Sequence, residues 1–493
     1  MSEEKKEEKA ISRRKYLATA GGLAAAAAVG WGLAGYLASK PRVPAVEKTV
    51  TKTITATPGV TTPAVTPAAP VTIEFWQFGG VSVEHELFQK EGVEKFNATH
   101  PNIIVKRTER SWMTKFEDLV TAFQTGTAPD VVTTDATQVP DYVEMGMYVA
   151  YDEEFPEVLT WKDRFVPEIW ERSGGWYKGH FYAIPSWVDA GTFIAYNTEM
   201  FKEAGLVDSK GNPKPPTTWD EVIEYAKELN KPPDHYGFHY PAVIAEAPDI
   251  DIITGIIYGN GGRWLSADGT KVVINEPAVV DVVQLLVDLH NKYKVTSPSL
   301  LDIDYMKTIE LFFERKFAMV VGMSWFPIVQ QGLKVPLDFP YDMVPFPIGP
   351  RALSGASSFP GASLIIGAMW GISMLTSSKH KKEAFEFVKW ISSDDFLIGY
   401  DGDPVMGRLP SIKKAYDSPD FEKYFKPSIV KAYREGTLYK NAEQMPAFPG
   451  LVEMKKVLLS EIQNAILLRK KTQEALNDAQ KKCQEILERV KKK

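Results

Sequence analysis

The sequence predicts an α/β protein with more than one lobe. Strand-like and helix-like stretches alternate from Val71 to Asp135, which is typical of a parallel sheet covered by helices. The chain has 493 residues, more than one hydrophobic core usually holds. With 44% hydrophobic and 24% charged residues, its composition is that of a soluble globular protein.

The N-terminal segment is predicted to be an export signal. Residues 1–16 are polar and charged, and Arg13 and Arg14 precede an apolar run as in a twin-arginine signal, with Tyr16 where such signals usually have Phe. Residues 17–38 carry no charge and are long enough to cross a bilayer as a helix. Because positive charge precedes this span, we expect residues 1–16 to stay in the cytoplasm and the rest of the chain to lie outside the cell membrane, anchored by the span. A poly-alanine helix inside a soluble core is the alternative, and it would leave the paired arginines unexplained.

Residues 39–70 are predicted to form a linker rich in Thr and Pro. The segment has too little large apolar surface to fold and too much proline for a helix, so it should be an extended, semi-rigid tether. A tether between a membrane span and a folded domain indicates a cell-surface protein. Threonine-rich stalks are also candidates for O-glycosylation.

Charge and cysteine content exclude some classes of protein. The net charge of −6 and the absence of a basic patch interleaved with aromatic residues argue against a nucleic-acid partner. A single cysteine, Cys483, rules out an intramolecular disulfide, and we expect it to be a core residue of a terminal helix. No cysteine follows the apolar span, which excludes a lipid anchor at that point.

The first part of the folded region is expected to alternate strands and helices. The patterns predict strands at 71–76, 101–105 and 130–135, a helix ending at Phe96 and a second helix at 112–124. The second helix rests on apolar residues at positions 112, 113, 116, 119, 120 and 123, which repeat with the helical period.

The stretch from Trp176 to Trp219 is where the sequence places ligand contacts. Residues 181–185 are predicted to form a short strand, and 193–196 a second, apolar strand. Residues 187–191, Trp-Val-Asp-Ala-Gly, are expected to connect the two strands and to expose an aromatic ring and a carboxylate. A Trp beside a strand is more often a core residue, so this pattern alone is only suggestive.

The remaining elements continue the α/β alternation. We expect helices at 221–229, 277–293 and 381–391, strands at 317–321 and 364–374, a crossing segment at 336–362, and helix throughout from Phe421 onward.

Several short motifs occur together in a definite order. They are Phe96 with 101–105; 126–131 (Gly-Thr-Ala-Pro-Asp-Val); 182–185 followed by Tyr196 and Asn197; 216–221 (Pro-Thr-Thr-Trp-Asp-Glu); Gly261 and Gly262; 317–319 ending at Trp325; 370–373 with Ser378 and Lys379; and the helix at 384–391. Taken together, they make the chain from about Val71 to Leu487 resemble the family 1 extracellular solute-binding proteins of ABC transporters, the maltose-binding-protein-like group.

The resemblance implies a periplasmic-binding-protein fold, with two α/β lobes joined by a hinge, a ligand cleft between them, and C-terminal helices. Lobe 1 would comprise residues 71–187 and 342–395, and lobe 2 residues 188–341 and 396–493. The resemblance further implies a monomer that delivers a mono- or oligosaccharide, or occasionally a polyol phosphate, to a membrane permease driven by a cytoplasmic ATPase. No cofactor, metal or catalytic residue is expected. Family members are commonly exported by a general secretion signal and often carry a lipid-anchoring Cys. The twin-arginine signal and the retained span predicted here therefore depart from the family pattern.

The resemblance also implies a set of ligand contacts. They are Trp76, Gln77, Thr134, Asp135, Thr137, Asp189, Trp325 and Trp370, to which the pattern at residues 187–191 adds Trp187. Flat aromatic faces stack on the C–H faces of sugars, and carboxylates accept hydrogen bonds from hydroxyl groups. Trp325 matches a Trp that stacks on a sugar ring, and Asp189 matches a carboxylate of the maltose-binding group.

Enzyme and adhesion functions are less well supported by the sequence. It contains no phosphate-binding loop, dinucleotide fingerprint or Gly-x-Ser-x-Gly elbow. His235 and His239 have the spacing of a helical zinc pair, but the nearby prolines and Gly237 disfavour a helix there. Carboxylate pairs cannot be judged by counting among 63 acidic residues, so a surface-anchored carbohydrate hydrolase remains the main alternative. A surface adhesion module is a weaker one, because this chain lacks the regular short strands of a β-sandwich.

Overall fold

The computed structural model describes residues 69–79, 88–172, 174–244, 249–326, 337–362, 364–401, 408–418, 421, 426–435, 442–444 and 446–492. The predicted signal (1–16), the predicted span (17–38) and nearly all of the linker (39–70) lie outside the described residues. Within the described residues, no helix combines the length and the apolar character needed to cross a bilayer.

A mixed sheet organises the described part of the chain. The strands are β1 (Val71–Gly79), β2 (Ile103–Ser111), β3 (Val131–Asp135), β4 (Trp176–Tyr177), β5 (His180–Phe181), β6 (Ile184–Asn197), β7 (Met319–Met323), β8 (Tyr341–Pro345), β9 (Leu364–Met374), β10 (Leu409–Pro410) and β11 (Ala442–Gln444). The order across the sheet is β10-β6-β9-β3-β1-β2, with β7 and β8 paired to β6 and β11 paired to β9, while β4 and β5 form a separate hairpin. As the alternation of elements predicts, β1 runs parallel to both β2 and β3.

Strand β6 differs from its prediction. Ile184–Asn197 is one strand, so the predicted connection at residues 187–191 between two shorter strands is wrong. The pairing register shifts at three points along β6. Such bulges absorb extra residues and bend a strand without ending it, so small and polar residues that resemble a loop in the sequence can remain within the sheet.

Strands β6 and β9 link the two halves of the sheet. The first half of β6 pairs with β9 and β10, and its second half pairs with β7 and β8. Ala68–Lys493 forms one compact unit, inside which the proposed lobe boundaries remain a prediction.

Helices cover the sheet and complete the fold. The α-helices are α1 (Lys95–Thr99), α2 (Lys115–Gln124), α3 (Val139–Glu144), α4 (Tyr151–Glu154), α5 (Pro167–Arg172), α6 (Thr198–Glu203), α7 (Trp219–Glu228), α8 (Asp249–Gly259), α9 (Pro277–Asn291), α10 (Tyr305–Phe313), α11 (Pro350–Leu353), α12 (Lys381–Ile391), α13 (Asp394–Asp401), α14 (Lys413–Tyr416), α15 (Pro427–Arg434), α16 (Leu451–Ile466) and α17 (Thr472–Lys491). Short 3₁₀ turns span Trp112–Thr114, Ala136–Gln138, Pro156–Arg164 and Leu300–Asp302, and a π-helix spans Phe88–Glu94.

The C-terminal region is helical only in part. We expected helix throughout from Phe421 onward, but β11 interrupts it and adds a parallel strand beside β9. Helices α16 and α17 follow and pack against the segment around α9, where Asn291 Nδ2 donates to the carbonyl of Ile466 at 2.8 Å. Cys483 is fully buried in α17, as predicted.

Aromatic side chains fill the core on both faces of the sheet. On one face, Phe75 of β1 packs against Phe387 of α12 with ring centroids 5.2 Å apart. On the other face, Tyr142 of α3 packs against Phe116 of α2 at 5.3 Å and against Tyr148 at 4.9 Å. This two-sided cover explains why β1 and β3 are nearly uniformly buried.

Candidate functional site

Three predicted contact residues lie side by side on neighbouring strands. Trp187 of β6 is paired with Trp370 of β9, which is paired on its other side with Asp135 of β3. Directly paired residues project from the same face of a sheet, so the strand register brings the three side chains together. The indole rings of Trp187 and Trp370 stack with centroids 5.9 Å apart and planes inclined by 19°.

Two basic side chains flank this aromatic pair. The guanidinium carbon of Arg408 lies 5.0 Å from the centroid of the Trp187 ring, and Lys115 Nζ lies 6.0 Å from that of Trp370. Both basic residues are buried. Removal from water lowers the pKa of Arg408 to about 9, because burial disfavours its charged form. We call Lys115, Trp370, Trp187 and Arg408 the cation–tryptophan stack.

The aromatic members of this stack are almost completely enclosed. Trp187 is 1% exposed and Trp370 is 7% exposed. Phe88 meets the Trp187 ring edge to face at 5.9 Å. In this conformation, the stack offers a ligand only the small exposed parts of Trp370, Lys115 and Arg408, because Trp187 is nearly inaccessible.

One carboxylate oxygen of Asp135 is already hydrogen-bonded within the protein. Its Oδ1 accepts hydrogen bonds from the backbone N–H of Thr137 at 2.9 Å and from its hydroxyl at 2.7 Å. This pattern caps the 3₁₀ turn Ala136–Gln138. The other oxygen, Oδ2, lies 3.6 Å from Lys115 Nζ. Asp135 and Thr137 thus form one buried unit that faces Lys115.

The register separates Thr134 and Trp76 from the stack. Trp76 is paired with Val132, two residues before Thr134 on β3. Alternation along a strand therefore places Trp76 and Thr134 on the face opposite to Asp135. There the Thr134 hydroxyl lies 2.8 Å from that of Tyr148.

Trp76 lies beside a cleft of about 330 Å³ between the β1–β2 edge and α2. The guanidinium carbon of Arg110 lies 4.1 Å from the centroid of the Trp76 ring and covers one of its faces. Residues lining this cleft include Glu117, Asp118 and Thr121 of α2. On the opposite face of β1, the side chain of Gln77 accepts a hydrogen bond from Arg107.

Trp325 forms a second aromatic site just after β7. It is half-buried and meets the ring of Tyr305 edge to face, with centroids 5.1 Å apart. The hydroxyl of Tyr305 accepts from the backbone N–H of Met323 at 2.8 Å, which ties α10 to the end of β7. Within the described residues, the indole N–H of Trp325 is buried and has no hydrogen-bond acceptor.

The buried carboxylate of Asp249 binds the backbone of Tyr305, the ring partner of Trp325. Asp249, the first residue of α8, accepts hydrogen bonds from the backbone N–H of Val243 at 2.8 Å and from that of Tyr305 at 3.3 Å. Burial raises the pKa of Asp249 to about 7, although these hydrogen bonds oppose the rise. The carboxyl that accepts a hydrogen bond from the backbone of Tyr305 therefore has a pKa near neutral pH.

The backbone of Asp189 lies between the two tryptophan sites. It sits on β6 where the register shifts between Val188 and Ala190. Its side chain lies outside the described part of the structure. From Trp187, β6 continues to Gly191, which is paired with Met323 near the Trp325 site. Four strand residues span at most about 13 Å, so Gly191 lies within about 13 Å of Trp187 along the strand.

The two histidines considered as a zinc pair have separate environments. His239 is fully buried and stacks on Phe317 at 4.3 Å, and burial lowers its pKa to about 3. His235 closes a turn with Lys231. Across the described ranges, no group of three or more His, Cys, Asp or Glu side chains is arranged to hold a metal ion.

Sequence reasoning missed Lys115, Arg408 and Tyr305. Lys115 is the first residue of an amphipathic helix, where a lysine usually faces solvent. Arg408 follows a stretch with no helical or strand periodicity. Tyr305 has the spacing of a buried helix face, so the sequence indicated a core residue there. A search for basic residues beside predicted strand ends could have indicated Lys115, but no sequence signal pointed to Arg408.

The sequence matches a protein-family model and a curated protein. The model described as bacterial extracellular solute-binding protein matches residues 81–396. An uncharacterized lipoprotein in the oleD 5′ region of Streptomyces antibioticus is 26% identical over 345 residues, which cover 67% of this chain and 67% of that protein.

Solved structures share the fold. An ABC transporter solute-binding protein from Thermotoga lettingae, bound with α-D-tagatose, has a TM-score of 0.69 at 22% identity and covers 85% of this chain and 100% of its own. Maltose-bound MalE3 of T. maritima has a TM-score of 0.70 at 21% identity, with coverage of 85% and 100%. A solute-binding protein from Agrobacterium radiobacter in complex with ribitol has a TM-score of 0.68 at 21% identity, again with coverage of 85% and 100%. The chain thus has the two-lobed α/β fold with C-terminal helices that the sequence predicts.

Proposed function

The chain belongs to the family of bacterial extracellular solute-binding proteins, as its ordered motifs predict, and from that premise we propose that it captures a mono- or oligosaccharide for an ABC importer. It would bind the sugar in a cleft between two lobes and deliver it to a membrane permease driven by a cytoplasmic ATPase. The similar structures carry maltose, α-D-tagatose and ribitol, all rich in hydroxyl groups. The proposed activity is binding without catalysis and without a cofactor.

The observation that carries this proposal is the placement of aromatic and polar groups along β6. Trp370 and Asp135 lie at one end of this path, and Trp325 lies beyond its other end. Aromatic faces bind the C–H surfaces of a sugar, while nearby polar groups exchange hydrogen bonds with its hydroxyls. A path of about 13 Å suits a ligand of one to three rings.

The predicted contacts divide by their environment in this conformation. Trp325, with its free indole N–H among the described residues, is the strongest candidate for direct contact. Asp135, Thr137 and Trp370 form the opposite wall, and Trp187 lies behind Trp370. We propose Asp189 as a contact from its position on the path. Trp76 and Thr134 lie on the opposite face of the sheet, and Gln77 lies one strand beyond Asp135, so these three are the weakest members of the proposed set.

Strands β6 and β9 are suited to act as the hinge. Both cross from one half of the sheet to the other, and β6 contains several register shifts. We propose lobe 1 as residues 71–187 and 342–395 and lobe 2 as residues 188–341 and 396–493. Phe396 of α13 contacts Phe88, with ring centroids 5.3 Å apart, so we expect the segment just after residue 395 to lie against the proposed lobe 1.

We further propose that the protein is exported and held at the outer face of the cell membrane. The paired arginines, the uncharged run at 17–38 and the linker at 39–70 support this location. The family is extracellular, and the curated relative is described as a lipoprotein. The full sequence contains one cysteine, Cys483, which is buried in α17, so the proposed anchor is the apolar helix and not a lipid.

A ligand screen tests the proposal. The full-length protein in mild detergent would be heated with maltose, D-tagatose, ribitol, a polyol phosphate and a short peptide, each with an assay for product formation. A ligand at 100 times its Kd stabilises the folded state by about 2.7 kcal/mol, which raises Tm measurably. Stabilisation by a sugar without turnover supports the proposal. Product formation would favour the hydrolase, and a response to the polyol phosphate alone would favour that class of ligand.

A further inference from the structure

Lys115 is a buried cation whose protein contacts are long. Its side chain is almost fully enclosed, and its ammonium donates to the backbone carbonyl of Trp112 at 3.3 Å. The nearest carboxylate oxygen, Asp135 Oδ2, is 3.6 Å away, which is beyond normal hydrogen-bond length. An ammonium group carries three N–H donors, so the described residues leave donor capacity at this position.

The surroundings of Lys115 direct it toward the proposed ligand path. Its ammonium lies 6.0 Å from the centroid of the Trp370 ring and 5.6 Å from that of Trp112. Asp135 Oδ1 is already occupied by the backbone and hydroxyl of Thr137. The carboxylate therefore keeps the ammonium in place, while the remaining N–H groups are available to another acceptor.

We propose that Lys115 is a specificity residue of the binding site. It donates a hydrogen bond to a ligand oxygen beside Trp370, and it disfavours solutes that carry a positive charge. This inference rests on the proposed function, since it assigns a role within the same sugar site. Because a low dielectric strengthens charge interactions, one fixed cation in this buried position discriminates between ligands of equal shape and different charge.

Three hexoses of matched shape provide the probe. D-glucose is neutral, D-glucosamine is cationic at pH 6, and D-glucuronate is anionic. The full-length protein in mild detergent would be titrated with each by calorimetry, together with maltose, D-tagatose and ribitol. We expect glucosamine to bind at least tenfold more weakly than glucose, and glucuronate to bind at least as tightly as glucose.

Substitution of Lys115 separates recognition from structural support. Lys115→Met keeps the apolar stem and removes the charge, so it should weaken neutral sugar binding about tenfold and bring the three hexose affinities closer together. Lys115→Arg should retain the preference against glucosamine. Lys202→Met, at an exposed position of α6, is the matched control and should leave all affinities unchanged. A purely structural role would lower Tm without changing the ratio of glucose to glucosamine affinity.

The outcomes separate the two proposals. If the unmodified protein binds sugars and Lys115→Met keeps both the affinity and the charge preference, the role of Lys115 is overturned while the proposed function stands. If the unmodified protein binds none of the sugars, the proposed function fails and the inference fails with it. Should Lys115→Met not fold, Lys115→Gln takes its place, because it is neutral, polar and close in length. A preserved preference against glucosamine in Lys115→Gln would likewise overturn the inference.

Discussion

The two tryptophan sites beside β6 differ in how completely protein groups surround the rings. Trp370 is stacked on Trp187 and lies near Lys115, and both rings are nearly inaccessible to solvent. Trp325 is half-buried, has Tyr305 as its described ring partner, and retains an indole N–H without an acceptor among the described residues. We propose a division of roles, in which Trp187 and most of Trp370 belong to the core, while Trp325 presents a partly exposed ring to a ligand.

The largest expected effect concerns the stability of the enclosed site. Trp187→Ala removes a ring that contacts Trp370, Phe88 and Arg408, so unfolding in denaturant should become easier by about 3–5 kcal/mol. Trp325→Ala is the control and should cost clearly less, because its ring is only half-buried. Equal losses in the two variants would contradict the proposed division of roles.

The second effect is a pH dependence of folding stability to which Asp249, beside the Trp325 site, contributes. Burial raises the pKa of Asp249 from its ordinary value of 3.8 to about 7 in the folded state, so the folded state keeps a proton that the unfolded state releases in this range. The stability contribution is therefore fully present below pH 4 and is lost as the pH rises to about 7, with a slope of at most about 1.4 kcal/mol per pH unit. Asp249→Asn should remove this slope. Stability curves of the two proteins that run parallel from pH 4 to pH 8 would show that Asp249 does not titrate there.

The third effect concerns binding at the open site. Trp325→Ala should weaken sugar binding by well over 1 kcal/mol, because it removes both the stacking surface and the indole N–H. Trp325→Phe keeps a smaller aromatic face and removes the donor, so its loss should be intermediate. Calorimetry with the tightest ligand of the screen measures both. Full affinity in Trp325→Ala would exclude this residue from the site.

The smallest effect tests the support of Trp325. Tyr305→Phe keeps the edge-to-face ring contact and removes the hydrogen bond to the backbone of Met323. We expect sugar affinity to fall by about 1 kcal/mol and hydrogen exchange of the Met323 amide to become faster. Tyr240→Phe, whose hydroxyl is also buried but donates to the carbonyl of Leu286, is the matched control for stability. Unchanged exchange at Met323 would show that Tyr305 does not hold the end of β7.

Elements with a clear period could be predicted closely from the sequence. Strand β9 and helix α12 have the bounds that the apolar run and the helical period predict. Strand β6 could not be predicted as one element, since a small and polar middle resembles a loop. Its continuity depends on hydrogen bonds from strands far away in sequence, and these also permit its bulges.

The candidate site could also be predicted only in part, because short motifs name residues but do not show which strands pair. Trp187, Trp370 and Asp135 could be named from motifs, whereas their position side by side follows only from the strand register. Motifs could not show that Trp76 lies on the opposite face of the sheet from Asp135. That depends on the pairing of β1 with β3 and on the alternation of side chains along both strands.

By itself, the sequence determined the alternation of elements, the parallel start of the sheet, the family and most of the residue types at the site. These features are local, since each depends on a periodic pattern or a short motif. Only the tertiary structure decided that Lys115 and Arg408 flank one aromatic pair, that Trp187 is enclosed and that Trp325 keeps a free donor among the described residues. Those features depend on pairing between distant segments, where strand register and burial, rather than composition, set which groups meet.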